Sequence, residues 1–408
     1  MKIQTSGLDT ISLMQINETS NKKRIILYTG KGGVGKSSLA AISAVHIANT
    51  GKKVLIMSTD LAHSLSDSFD IKLDKEPTKI DNNLYGMEID TVYESEKSWK
   101  HLKSYFKELL TIQGNGGIEV EELLVFPGLE ELFSMFKILE MYEQNVYDVI
   151  VVDCAPTGET LSLLKYPEKL SGFLEKVLPI KRKGVQIVGP AVETIMKIPM
   201  PKDNVFDDIE YVMEKMKRLQ NIMLNKEVVS LRIVTTPEQI VIREAKRNFT
   251  YLHLYHYNVD AIFVNCIYPA KAMDGYFNKW IQMQEKGLKE IEESFFELPQ
   301  FYLELQKDEI RTLPVLQNIA KQLFFDKNIT NVLCQQRNYE IEKKENSIVL
   351  KIMLPFTKKE ELVLRQTQEE LILGIRNEER RFSLPKQAQN MEISTAKYED
   401  GFLNITFS

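Results

Sequence analysis

Three observations predict an α/β protein: a mostly parallel, doubly wound sheet with a helical insertion, followed by a small all-β sandwich. Short apolar runs alternate with longer helical stretches through roughly the first 330 residues. One glycine-rich turn, GKGGVGKS (30–37), joins the first such run to a helical segment. After about residue 336 the pattern changes to short strands of alternating polarity. A chain of 408 residues suggests two or three domains, and 43% hydrophobic residues supply a sizeable core.

Residues 1–22 are polar and mixed in charge. They lack the apolar stretch of a secretory signal and read as an N-terminal extension of unknown role. RIILYT (24–29), KVLIMST (53–59), LYGMEID (84–90), DVIVVDC (148–154), LRIVTT (231–236) and DAIFVNC (260–266) are short and rich in Val, Ile and aromatics. They read as strands buried on both faces. From about 95 to 230 the spacing turns helical. Leu129, Leu132, Phe133, Phe136 and Leu139 recur with helical period, as do Ile209, Val212, Met213, Met216, Leu219 and Met223. VFPG (125–128) and VGPAVETIMKIPMPKDN (188–204) interrupt that region. YEIEKKENSIVLKIMLP, EELILGIR, MEIST and FLNITF alternate apolar and polar residues and predict an antiparallel sandwich. The resulting division is an extension at 1–22, an α/β domain at 23–332 with its insertion at 95–230, and a sandwich at 336–408.

Composition narrows the function. A net charge of −5 argues against nucleic acid as the main partner. Cys154, Cys266 and Cys334 are scattered and form no CxxC. That pattern fits a reducing, cytoplasmic compartment and predicts no structural zinc. No apolar run approaches the roughly 18 residues that span a membrane.

The turn GKGGVGKS fits G-x-x-x-x-G-K-[ST], the phosphate loop of P-loop NTPases, and it has the strand before it and the helix after it that such a loop needs. Backbone N–H groups from Gly30, Lys31, Gly32, Gly33, Val34, Gly35, Lys36, Ser37 and Ser38 can face phosphates at a helix N-terminus. Lys36 is placed to reach the β- and γ-phosphates, and Ser37 to ligate Mg²⁺. DVIVVD ends in Asp153, an acid that can hold a Mg²⁺-bound water. Pro156, Thr157 and Gly158 in CAPTGET form a tight loop suited to sensing the γ-phosphate. Asp60, in STDLAHSLSD, stands at a strand's C-terminal edge, where open α/β sheets bind ligands. It is the candidate for positioning or deprotonating an attacking water, with His63 in the same switch segment. Asp60 also fits a helix N-cap ahead of LAHSLSDSF.

Together these motifs resemble a known family. GKGGVGKS, with a second lysine at Lys31, resembles the deviant loop of the MinD/ParA/nitrogenase iron-protein class. STDLAHSLSDSF (58–69), VVDCAPTGETLSLLKYP (151–167) and the helical insertion resemble the ArsA-type ATPases within it. That group includes the arsenite-pump ATPase and the guided-entry ATPase that delivers tail-anchored membrane proteins. The resemblance covers residues 24–330. It implies ATP and Mg²⁺ as ligands. It also implies a homodimer in which Lys31 reaches the partner's nucleotide and neutralises charge during phosphoryl transfer. Asn265 matches a residue whose amide reads adenine, and Pro314, in RTLPVLQN, matches a base-stacking loop. Hydrophobic client proteins and a membrane receptor are the implied partners.

The chain departs from the family pattern in places. Leu61 and Thr91 stand where the family usually has proline, Glu159 replaces a usual histidine, and the zinc-binding CxxC of eukaryotic guided-entry ATPases is absent. Residues 337–408 resemble the α-crystallin domain of small heat-shock proteins, with Ala396, Gly401, Leu403 and Ile405 fitting its signature but no I-x-I tail. Such a domain implies either a client surface or a cap on the ATPase.

Three functions compete. The first is an ATP-gated client chaperone or targeting factor. Seven of the fifteen methionines lie between Met135 and Met223, which suits either an adaptable apolar groove or a core. The second is an energiser of a metalloid pump, which needs clustered thiolates. The third is a MinD-type switch, which needs an amphipathic C-terminal helix.

Overall fold

The computed structural model describes residues 23–59, 64–90, 129–153, 203–273, 278–336, 338–344, 347–376, 378–384, 386–389 and 391–408, with scattered positions from 93 to 104. The α/β part runs β1 (Arg24–Gly30), α1 (Lys36–Asn49), β2 (Val54–Ser58), α2 (Ser64–Phe69), β3 (Thr78–Asp81), β4 (Leu84–Glu88), α3 (Leu129–Glu143), β5 (Val149–Asp153), α4 (Asp203–Met223), β6 (Val229–Thr235), α5 (Gln239–Leu254), β7 (Val259–Ile267), α6 (Asn278–Ser294), β8 (Gln300–Glu304) and α7 (Leu313–Phe324). Its eight strands are ordered β3-β4-β2-β5-β1-β6-β7-β8. Only the β3–β4 pair is antiparallel.

Alternate residues of the central strands enter two separate cores, which is the physical meaning of a doubly wound sheet. Ile26, Tyr28, Ile56 and Val151 pack with α1, α2 and α7. Ile25, Leu27, Met57 and Val152 pack with α3, α4, α5 and α6. All six strands read from the sequence are present. The two not read, β3 and β8, lie at the sheet's edges. TKID in β3 is half-exposed and QFYLE in β8 alternates, so neither has the continuous apolar signal of a central strand.

The helices expected around Leu129–Leu139 and Ile209–Met223 are both found. Met135, Met141, Met216 and Met223 are at most 4% exposed. They belong to the core, so the groove reading of these methionines is corrected: their helical spacing reports burial against the sheet. Segments 1–22, 125–128 and 188–202 lie outside the described residues, as does most of the span from 105 to 202.

The C-terminal part contains β9 (Tyr339–Lys344), β10 (Ser347–Met353), β11 (Leu362–Gln366), β12 (Glu370–Ile375), β13 (Glu378–Ser383), β14 (Ile393–Glu399) and β15 (Phe402–Phe407). A four-stranded sheet β14-β15-β10-β9 and a three-stranded sheet β11-β12-β13 form the antiparallel sandwich. Leu350, Ile352, Leu371, Leu373 and Ile405 are buried in it.

This sandwich is fastened to the ATPase part. Phe356 meets Phe249 of α5 and Phe295 at ring-centroid distances of 6.0 and 5.4 Å. The connecting segment 329–338 is stitched beneath the sheet: Arg232 donates to the Ile329 carbonyl (2.6 Å), Asn258 to the Cys334 carbonyl (3.1 Å) and Lys226 to the Gln336 carbonyl (2.6 Å).

Candidate functional site

The glycine-rich turn leaves β1 and enters α1 at Lys36. Two glycines are required by geometry. A Cβ on Gly30 would stand 2.3 Å from the Val234 carbonyl oxygen, and one on Gly35 would stand 2.2 Å from Asn265 Nδ2. Gly35 also has φ 88°, a left-handed conformation that side chains disfavour. The loop therefore lies against β6 and β7 with its backbone open above it, the arrangement in which N–H groups reach phosphates.

Lys36 is only 7% exposed, and its ammonium donates to the Lys31 carbonyl at 3.3 Å. It folds back under its own loop. Ser37 Oγ lies 2.9 Å from Ser64 Oγ, the first residue of α2. This contact brings the expected Mg²⁺ ligand to the helix that follows the Asp60 segment. Asp153 ends β5, with Tyr28 of β1 and Ser58 of β2 as its register neighbours, and is 1% exposed. Its backbone carbonyl accepts from the Thr59 N–H at 3.0 Å. A buried carboxylate and a serine hydroxyl on adjoining elements are hard oxygen donors, so the residues present fit a magnesium ion.

A cleft of about 560 Å³ opens beside the loop, lined by Gly33, Gly35, Ser38, Asn265, Leu305 and Arg311 among others. That volume is in the range of small-molecule sites. Asn265, expected to read adenine, lines the cleft, but its Nδ2 donates to the Val34 carbonyl at 2.9 Å. In this structure that amide group braces the phosphate loop. Pro314, expected at the base-stacking position, lies in the first turn of α7 and is exposed. The residues that reach the cleft from this side are 304–306 and 308–311. Asp60, His63, Pro156, Thr157 and Gly158 lie outside the described residues, as do Leu61, Thr91, Cys154 and Glu159.

Two contacts at the site were not read from the sequence. Arg311 pairs with Asp70 at 2.8 Å, tying the cleft's outer wall to the end of α2. Lys31 Nζ lies 3.8 Å from Glu244 Oε2 on α5. Each pair joins residues more than 200 positions apart, and no local pattern announces such a partner.

Comparison with known proteins adds to this geometry. The family described as "Anion-transporting ATPase" matches residues 23–325. The chain belongs to this ATPase family. Residues 345–407 match the "HSP20-like domain found in ArsA". A "Putative arsenical pump-driving ATPase 1" of Aquifex aeolicus is 32% identical, covering 94% of this chain and 100% of that protein. An "ATPase ASNA1 homolog" of Entamoeba dispar is 30% identical over 74% of this chain and 94% of its own length. An "ATPase get3" of Sclerotinia sclerotiorum is 29% identical over 74% and 89%. This ATPase thus has the nucleotide-hydrolysing part and the sandwich of its family. Among the described residues no helix is long and apolar enough to cross a membrane.

Proposed function

We propose that this ATPase works as a homodimer that closes on Mg-ATP and uses closure and hydrolysis to bind and release hydrophobic protein clients. One observation carries the dimer: the two loop lysines point to different places. Lys36 is folded under its own loop, whereas Lys31 extends to α5, off its own cradle. A lysine turned outward at the rim suits a phosphate on another subunit. Ile240, Tyr268, Trp280 and Met283 gather beside α5 around an apolar hollow of about 260 Å³. Ile240 is 68% exposed and lies one turn of α5 before Glu244, the residue Lys31 meets, and this apolar surface suits contact with a second copy.

In the proposed reaction ATP and water give ADP and phosphate. Lys36 and the loop N–H groups hold the phosphates, and Lys31 of the opposite copy neutralises charge as the γ-phosphoryl leaves. Ser37 and Asp153, through a water, would hold Mg²⁺, which screens the phosphate charge when bound. Asp60 accepts the proton of the attacking water.

A pump-energising role is not favoured. Cys266 is the penultimate residue of β7, whereas the Cys334 carbonyl accepts from Asn258, just before that strand begins. Eight residues of strand, about 26 Å, separate Asn258 from Cys266, so these two thiols do not share a ligand.

The direct test uses Asp60→Asn, which should bind ATP without splitting it. With Mg-ATP it is expected to sediment as a dimer and to capture a synthetic 20-residue apolar helix. A dimer that takes no such helix, with or without nucleotide, would overturn the client reading and leave the ATPase intact.

A further inference from the structure

The contact between Lys31 and Glu244 joins the phosphate loop to a helix that is fixed elsewhere. The pair is half-exposed, at 39% for the lysine side chain and 22% for the glutamate. Glu244 sits in the second turn of α5. That helix is anchored around it. Gln239 Nε2 and Lys246 Nζ both bond Glu290 of α6, at 2.9 and 2.7 Å. Further along, Phe249 packs edge-on against Phe295 at 5.4 Å and against Phe356 of the sandwich. The carboxylate is therefore on a rigid base, while Lys31 hangs from a glycine-rich loop by a flexible stem.

We propose that Glu244 is a positioning residue for Lys31: it holds the ammonium on the α5 side of its own loop and competes for it with the partner's phosphate. It rests on Lys31 acting across the dimer. Because α5 is fastened to α6 and to the sandwich, the carboxylate does not travel with the lysine. Lys31 must exchange one anion for another, and the strength of the pair is subtracted from the gain on closing. A half-exposed pair at 3.8 Å is weak, so the restraint is small and reversible, about two- to fivefold. That scale suits a contact broken in every cycle.

The test is ATP-dependent self-association, measured by sedimentation with Mg²⁺ and a non-hydrolysable ATP analogue. The proteins are the full chain, Glu244→Gln, Lys31→Ala and the double variant. Glu244→Gln keeps the size and removes the charge, and should tighten association about two- to fivefold. In the Lys31→Ala background the same change should do nothing, because the lysine it restrains is gone. Glu244→Asp, which keeps the charge, should stay nearer the parent than Glu244→Gln does. An equal shift in both backgrounds would mean that Glu244 acts through the helix, and would overturn the assignment. So would an unchanged or weakened constant in Glu244→Gln. If Lys31→Ala associates as tightly as the parent, the cross-subunit role of Lys31 fails and Glu244's falls with it. If Lys31→Ala is weakened and Glu244→Gln is silent, only Glu244's role falls.

Discussion

The two ends of the parallel sheet use the same charged side chains in opposite ways. At the strands' N-terminal end, Arg232 and Asp260 are fully buried, 3.1 Å apart. Burial alone would push the Arg232 pKa down, but Asp260 and Tyr28 outweigh it and raise it. Arg24 sits nearby, where burial lowers it to about 10 against the opposing pull of Asp260. Every member of this cluster is spent on structure: Arg232 also holds the Ile329 carbonyl, and Asp260 accepts from the Leu333 N–H at 3.2 Å. At the C-terminal end, Lys31–Glu244 and Arg311, which reaches both Asp70 and Glu309, are pairs open to water. Fully buried pairs fix a backbone, because separating them leaves a charge unsolvated. Half-exposed pairs can be exchanged for a ligand at little cost. One end of the sheet is a weld to the sandwich and the other a set of contacts that a nucleotide can rearrange.

Breaking the weld should have the largest effect. Arg232→Ala leaves Asp260 with the more distant guanidinium of Arg24, at 4.0 Å, and should destabilise the protein by about 3–5 kcal/mol in denaturant unfolding. A loss below 1 kcal/mol would mean that the buried cluster is not structural.

Acid should loosen the same region. His253 and His256, on and just after α5, are held at about 4, chiefly by burial, with nearby positive charges adding to it. His253 Nε2 faces Gln336 Oε1 at 2.6 Å, and the His256 ring lies 4.6 Å from that of Tyr339. The folded pKa values are depressed below the ordinary 6.5, so the neutral forms stabilise the fold. That contribution is complete above pH 6.5 and is lost as pH falls from 6.5 towards 4, at about 3 kcal/mol per histidine at most. Stability measured across that window should fall with a slope of up to two protons. His253→Gln should flatten it.

Changes at the nucleotide end should act more on binding than on the fold. Gly35→Ala places a Cβ against Asn265 in a left-handed conformation. It should weaken ATP binding by about ten- to a hundredfold, read by titration, and cost about 1–3 kcal/mol in unfolding. The smallest effect is expected from Arg311→Ala. Its exposed pair with Asp70 should be worth no more than about fivefold in nucleotide affinity. A larger loss would make Arg311 a direct ligand contact instead of a wall tie.

The same contrast explains what the sequence made legible. The six central strands could be read because both their faces are buried and the composition says so. The edge strands β3 and β8 could not, since half their surface is wet. The loop GKGGVGKS carries its expected chemistry in its spacing, and it joins β1 to α1 as that spacing requires. The adenine role of Asn265 is what the family resemblance implies. Its bond to the Val34 carbonyl depends on how β7 packs beside the loop. Pro314 was placed by motif alone, and the fold uses it to open α7. The pairs Lys31–Glu244, Arg311–Asp70 and Arg232–Asp260 are products of topology, which brings distant positions together without leaving a local pattern.

The most direct test of the central claim, that Lys31 works across a dimer, is subunit mixing. Lys31→Ala and Asp60→Asn are each expected to be inactive alone. Mixed one to one, they form some dimers in which an intact Asp60 on one copy meets an intact Lys31 from the other, and ATP hydrolysis should return in proportion to those hybrids. If each variant is inactive and the mixture stays inactive while hybrids form, Lys31 serves its own nucleotide and the account is contradicted.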